Sequence, residues 1–478
     1  MHPIAPDPAG NAVHPIAPDP ARLDLDAMRA LDDAPLDWRT HAVPPAGWGL
    51  SARAYAARRP PLRELGTPLV TLDAGALHAN LTGMAHWCAA RGLDLAPHGK
   101  TTMAPRLWAD QVTAGAWAIT VANAPQLRVA LAFGVSRVLV AGTLLDPAVT
   151  RWLAAELARR PGHRVVSFVD STAAVAQLDA ALRAGGPDLA EPGPDPAGPG
   201  RDPAAPPGDA GRQPAGGPLE VCVELGVPGG RTGCRSVTEA LAVAAAVRAT
   251  GTLRLVGVAG YEGAVAGDAR PQSLSAVDAY LGRLAALHRG LAERGWYAGT
   301  PALVTAGGSA YLDRIAAVLG PLGGADTRVL LRAGAYLVHD DGFYRGISAA
   351  ARAADGPALR SAMHGWARVV SRPEPGLALL DAGRRDLPFD QGLPAPQRVL
   401  GRDRQASTAA LAGARVTALN DQHAFLALAP DSDLAVGEVV RLGLSHPCTA
   451  LDKWRLLPVV ADADAAEPIV VDLVHTFF

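Results

Sequence analysis

Lysine is almost missing from this chain: among 478 residues only Lys100 and Lys453 carry an ε-amine, and every other basic side chain is arginine or histidine. An excess of either charge is missing too. The 44 basic and 46 acidic residues leave a formal net charge of −2, which excludes the basic field that nucleic acid or an anionic membrane surface requires. Cysteine is scarce, with Cys88, Cys222, Cys234 and Cys448 far apart and no CxxC pair. That spacing, with no secretory segment ahead of it, argues against a disulfide scaffold and for a cytoplasmic protein. Aromatic residues make up 5% of the chain, and no apolar run approaches the roughly 20 residues of a membrane-crossing helix. What remains is a hydrophobic share of 49%, enough for a large core in an α/β protein of two or three domains with a small molecule as its partner.

Two segments are set aside before a fold is read. Residues 2–9 and 14–21 repeat HPIAPDPA, and residues 1–45 are expected to form a disordered, Pro-rich tail, because such sequence buries too little surface to offset its ordering entropy. His2 and His14 fall in this tail and are poor ligand candidates. Residues 185–218, dominated by Pro, Gly, Ala and Asp, read as a flexible insertion in a surface loop.

Between residues 65 and 345, short apolar or β-branched runs alternate with Ala/Leu-rich helical runs, as expected when each strand is followed by a covering helix. After a leading strand at 69–72 and a helix at 74–91, eight strand candidates follow, at 93–96, 117–120, 138–140, 165–169, 219–224, 253–258, 302–305 and 329–332. Eight such units close a (β/α)8 TIM-type barrel. Polar residues stand just after these strands: Lys100, Asn123, Thr143, Asp170, Arg231, Tyr261 with Glu262, Gly307 to Ser309, and Tyr336. Barrel enzymes build their sites on these C-terminal loops, although any single Gly, Asn, Asp or Ser is more often an ordinary turn residue. From about residue 346 the helical runs give way to alternating segments separated by Pro, Gly and Asp. Residues 346–478 are therefore expected to form a second, mostly antiparallel β domain.

Lys100 follows a strand and precedes Pro105, which can open a helix, so its amine would sit at the barrel mouth with free helix-start N–H groups nearby. A lysine with few charges around it suits imine chemistry. The bland alternative is a solvated surface lysine, and the rarity of lysine here weighs against it. Gly307, Gly308 and Ser309 follow a strand and precede a helical run, placing backbone amides and a hydroxyl where a phosphate is stabilised. His446 and Cys448 lie two apart, so on an extended segment both would face one way, as two ligands of one zinc do. Alone, they are as readily a turn histidine and a buried cysteine.

The motifs HGKTTMAP (98–105), VTAGGS (304–309), HDDGFY (339–344) and SHPCTALDKW (445–454) together resemble the D-serine dehydratase-like and D-threonine aldolase family of pyridoxal-phosphate (PLP) enzymes, whose N-terminal domain is an alanine racemase-type barrel of fold type III. The resemblance implies that Lys100 is the Schiff-base lysine and the base for the α-proton, and that Gly307, Gly308 and Ser309 contact the phosphate. It also implies that Arg231 approaches the phenolic oxygen, that Thr305 faces the pyridine nitrogen where racemases have arginine, and that Tyr261 and Tyr336 line the pocket or the barrel wall. It makes His446 and Cys448 ligands of zinc or another divalent metal. A cysteine at the second position matches the D-amino acid dehydratase branch, whereas aspartate is common there in the aldolase branch. The implied activity is β-elimination from D-serine or D-threonine, giving a 2-oxo acid and ammonia, by a homodimer. Retro-aldol cleavage to glycine and an aldehyde is the nearest alternative, and a non-catalytic PLP carrier is the alternative of another class.

Overall fold

The computed structural model describes residues 21–184, 217–352 and 354–478. His2, His14, the repeats up to residue 20 and nearly all of the Pro/Gly-rich stretch lie outside the described residues.

Nine strands precede residue 332: β1 (Leu69–Asp73), β2 (Asp94–Leu95), β3 (Ile119–Val121), β4 (Arg137–Val140), β5 (Arg164–Val169), β6 (Leu219–Leu225), β7 (Leu253–Gly260), β8 (Ala302–Ala306) and β9 (Thr327–Leu331). The last eight form one parallel sheet in the order β2-β9-β8-β7-β6-β5-β4-β3. Its two ends meet where the Trp117 N–H donates to Leu95 O at 2.7 Å and the Thr120 N–H to Pro97 O at 2.8 Å, so the sheet curls into a β/α barrel. The strands coincide with those read from the sequence because buried parallel strands are short, continuous apolar runs. Several polar residues after the strands prove to be helix caps. Asn123 Oδ1 accepts the Gln126 N–H at 3.1 Å, and Ser171 Oγ accepts the Ala174 N–H at 3.2 Å, each satisfying a donor that the first helical turn leaves open.

The barrel interior is a packed layer of Ala96, Leu139, Val166, Phe168, Cys222, Leu303 and Leu330, all at most 1% exposed. Below it lies Trp117, with the guanidinium groups of Arg137, Arg164 and Arg328 each 5.2–5.5 Å from its ring. The lower end is therefore plugged by aromatic and cationic packing, which leaves the opposite mouth for chemistry.

The second sheet comprises β10 (Met363–Glu374), β11 (Leu377–Leu380), β12 (Ala395–Val399), β13 (Arg415–Leu419), β14 (Ala424–Ala427), β15 (Val439–Gly443), β16 (Leu456–Val460) and β17 (Val470–His475). Its pairings are antiparallel apart from β1 with β16. Here two expectations change. The strand expected to lead into the barrel, β1, sits between β10 and β16 in this second sheet. Its run Leu69–Leu72 is buried on both faces, and periodicity reveals burial but not which sheet provides it. Residues 21–45 are not a disordered tail either. They carry the helix Leu25–Asp33 and bury Leu36, Ala42 and Val43 at 5% exposure or less, while the Asp24 N–H donates to Phe133 O at 2.9 Å. A few apolar residues sufficed to dock that segment. Among the described residues no helix is long and apolar enough to cross a membrane.

Candidate active site

Lys100 occupies a 3-10 turn, Gly99–Thr101, directly after β2, and the helix beyond it begins at Pro105. The turn is held from two sides. Trp108 Nε1 donates to Gly99 O at 3.2 Å, and the Phe477 N–H near the C-terminus donates to Met103 O at 2.8 Å. The Lys100 amine makes no hydrogen bond within the described residues. Burial lowers its pKa, with lesser help from the Arg231 and Arg332 guanidinium groups, against an opposing pull from Cys448 that exceeds either of theirs. An amine that is neutral more of the time is a better nucleophile and base.

The phosphate loop lies across the mouth. Gly307 has φ +141°, and a Cβ there would meet Arg332 N at 2.8 Å, so only glycine fits. The Gly308 N–H, expected to face a phosphate, donates instead to Glu262 Oε1 at 2.7 Å. Glu262 is fully buried and its pKa is raised by that burial, so this carboxylate shapes the loop from behind. The nearly buried Ser309 hydroxyl has no protein partner among the described residues and remains free for a ligand. The following helix starts only at Leu312, two residues later than the sequence suggested, because the loop needs that length to turn.

Thr305 is buried in β8. Its hydroxyl donates to Leu330 O at 3.1 Å and accepts from Arg332 Nη1 at 2.8 Å. Arg332, which sequence reading treated only as the end of a strand, is the central cation of the mouth. It is 3% exposed and donates through Nη2 to Gly260 O at 2.6 Å. Arg231 is exposed, with its guanidinium 4.8 Å from the Tyr261 ring, and its loop is tethered where the Gly233 N–H donates to Asp170 Oδ2 at 3.0 Å. Tyr261 therefore stands at the mouth. Tyr336 does not: its buried hydroxyl accepts from Gln111 Nε2 at 3.0 Å, inside the packing of the helix after Lys100, which is the barrel-wall alternative. His98, the first residue of the HGKTTMAP motif, was given no role by the sequence. Its buried Nδ1 has no partner two residues from Lys100.

His446 and Cys448 are brought together, but not by an extended segment. His446 takes a left-handed conformation with φ 56°, and Cys448 lies in the short helix Pro447–Leu451. Hydrogen bonding to Cys448 and Asp390 raises the His446 pKa to about 9 despite burial. Burial would push the Cys448 thiol up, but His446, Thr101 and Lys100 outweigh it and hold the thiol below its ordinary value. A pair that shares a proton this strongly is suited to hold a cation in its place. His446 Nδ1 lies 2.5 Å from Asp390 Oδ2, which leaves the other ring nitrogen for Cys448 in the carboxylate–histidine arrangement common behind metal ligands. Among the described residues no cluster of three His, Cys, Asp or Glu exists, so further ligands would come from water or substrate. Thr101 Oγ1, beside Lys100, is 3.4 Å from Cys448 Sγ, and this contact joins the two halves of the site.

Asp340 secures that junction. Fully buried, it accepts through Oδ1 from the N–H groups of Tyr344 and Arg345, at 2.9 and 3.1 Å, and through Oδ2 from the His446 N–H at 2.9 Å. Asp340→Ala would strand these donors, and an expected loss of about 3 kcal/mol of unfolding free energy, measured by urea denaturation, should accompany weaker metal retention. A change below about 1 kcal/mol would show that the turn does not depend on it.

A β/α barrel with a partly buried lysine across its mouth from a glycine loop, completed by a β domain, is the architecture of the fold type III class of PLP enzymes. Residues 362–460 match the family model for a putative serine dehydratase domain. The chain is 25% identical over 404 residues to a D-threonine aldolase from Arthrobacter sp, covering 84% of this chain and 91% of that one. Its fold is shared with D-threonine aldolase from Filomicrobium marinum, at TM-score 0.67 and 24% identity over 87% of this chain and 97% of that one. It is shared likewise with D-threo-3-hydroxyaspartate dehydratase from Delftia sp. HT23, at TM-score 0.62 and 23% identity over 86% and 98%. The chain is thus similar to the D-serine dehydratase-like and D-threonine aldolase family, and that similarity supports a PLP-dependent lyase.

Proposed function

We propose that the chain dehydrates a D-β-hydroxy amino acid such as D-serine or D-threonine, releasing a 2-oxo acid and ammonia. The observation that carries this reading is the His446–Cys448 pair set against the Lys100 turn through Thr101. When bound at Lys100 and at this pair, PLP would accept the electrons left on Cα and a metal, zinc by the thiolate preference, would polarise the β-hydroxyl. Lys100, whose pKa is lowered by burial with help from two guanidinium groups, takes the α-proton. Ser309 offers its free hydroxyl to the phosphate, while Glu262 and Arg332 hold the loop and Thr305 in place. Thr305 commits its proton to Leu330 O and so has none to offer a ring nitrogen.

Retro-aldol cleavage is the second reading, supported by the D-threonine aldolase among the relatives. It needs a base for the β-hydroxyl proton instead of a departing hydroxide. A panel of D- and L-β-hydroxy amino acids separates the two when ammonia and glycine are both quantified. We expect D-selective ammonia release without glycine; glycine formed in equal amount with an aldehyde would replace dehydration by the aldolase reading.

A further inference from the structure

A second polar cavity of about 480 Å³ opens in the β domain, lined by none of the residues of the barrel mouth or the metal pair. Its floor is His364 of β10, only 7% exposed and with Nδ1 lacking any partner. Around it, groups of both characters are left unsatisfied. Asp341 Oδ2 and Gln397 Oε1 are buried acceptors without donors, and Arg441 Nε is a buried donor without an acceptor. Arg360 stands at the rim, exposed, with no ion-pair or hydrogen-bond partner for its guanidinium among the described residues. Gly443 makes the arrangement possible, since a Cβ there would meet Gln397 Nε2 at 2.3 Å and Asp341 Oδ2 at 2.9 Å.

Buried polar groups are almost always paired, and a cluster of four that are not is costly unless something completes it. A metal does not fit, because among the described residues no three His, Cys, Asp or Glu converge. An anion alone would leave Asp341 and Gln397 unsatisfied, and a cation alone would leave Arg360 and the Nε of Arg441, whose Nη1 is already paired with Asp464. We propose that this cavity binds a small zwitterion carrying an ammonium and a carboxylate, a free α-amino acid, with the ammonium on Asp341 and Gln397 and the carboxylate on Arg360 and Arg441. The volume falls within the range of roughly 300–1,000 Å³ usual for small-molecule sites. This is a second amino-acid site, beyond the reaction assigned to the barrel mouth.

The test uses holoenzyme whose PLP has been fixed to Lys100 by borohydride reduction, so that covalent capture of an amino acid at the mouth is blocked. D-serine is titrated by calorimetry, with acetate and ethylamine as probes bearing one charge each. We expect one saturable equivalent of D-serine, with acetate and ethylamine at least about tenfold weaker. Arg360→Ala, at an exposed side chain, and Gln397→Leu should each weaken D-serine at least about tenfold, as loss of one charge-assisted or buried hydrogen bond does. No saturable binding to the reduced enzyme, or binding unchanged in both variants, would overturn the proposal. Because turnover is not measured, the outcome is independent of which lyase reaction the mouth performs.

Discussion

Lys100→Ala is expected to lower turnover by at least about 10⁴-fold, the upper end of what removing a positioned base costs, and to abolish the visible absorption of enzyme-bound cofactor. The two effects have one origin. Lys100 is the lysine at the barrel mouth, its amine has no partner among the described residues, and burial with Arg231 and Arg332 keeps it from holding a proton firmly. Lys453 cannot substitute, since its Nζ is engaged with Thr449 O at 2.7 Å. Lys100→Arg should fail equally, because a guanidinium keeps the charge but not the nucleophilic amine. Both variants should unfold at the temperature of the parent, since the turn is held through backbone groups by Trp108 and Phe477. Absorption and turnover retained by Lys100→Ala would remove this lysine from the chemistry.

Metal removal is expected to have the next largest effect. Chelation, or Cys448→Ala, should reduce ammonia release on the order of 10²–10³-fold, the several kcal/mol that a Lewis acid contributes to a poor leaving group. Added zinc should restore the chelated enzyme but not the variant. Asp390→Asn tests the geometry separately. It keeps a group beside His446 Nδ1 but loses the charge, so metal affinity should fall about 10- to 100-fold, with activity recovered at higher metal concentration. Undiminished deamination after complete chelation, confirmed by metal analysis, would show that His446 and Cys448 serve only the fold.

The legible part of the site was local. Lys100 stood out because lysine is so rare, and Gly307–Ser309 because a glycine loop between a strand and a helical run, opposite that lysine, can seat a phosphate. His446 and Cys448 were found for a partly mistaken reason: the extended spacing proved to be a left-handed residue entering a short helix, and the two side chains meet all the same. Glu262 was legible only as one of the polar residues after the strands, and Arg332 and Asp340 were not legible as site residues. Each acts through backbone groups distant in sequence, Gly308, Gly260 and His446 respectively, and nothing in a lone Glu, Arg or Asp announces such a partner. Three strands of the second domain, β12, β14 and β16, lie outside the alternating segments legible at 362–370, 377–380, 414–419, 439–442 and 468–473; β12 and β16 each contain a proline, and β14 has only four residues.

The sequence by itself determined the barrel, its eight strands and the residue types that stand at its mouth, because burial writes periodicity into a strand and a rare residue type stands out wherever it falls. Only the tertiary structure decided that β1 serves the second sheet and that residues 21–45 dock on the barrel. It also decided that Tyr336 belongs to the wall and Arg332 to the centre, and that the His446–Cys448 pair meets the Lys100 turn through Thr101. The reason is physical. Local patterns specify how much of a side chain is buried, whereas the partner it meets is set by closure of the barrel and by packing of the β domain against it, contacts between residues hundreds of positions apart.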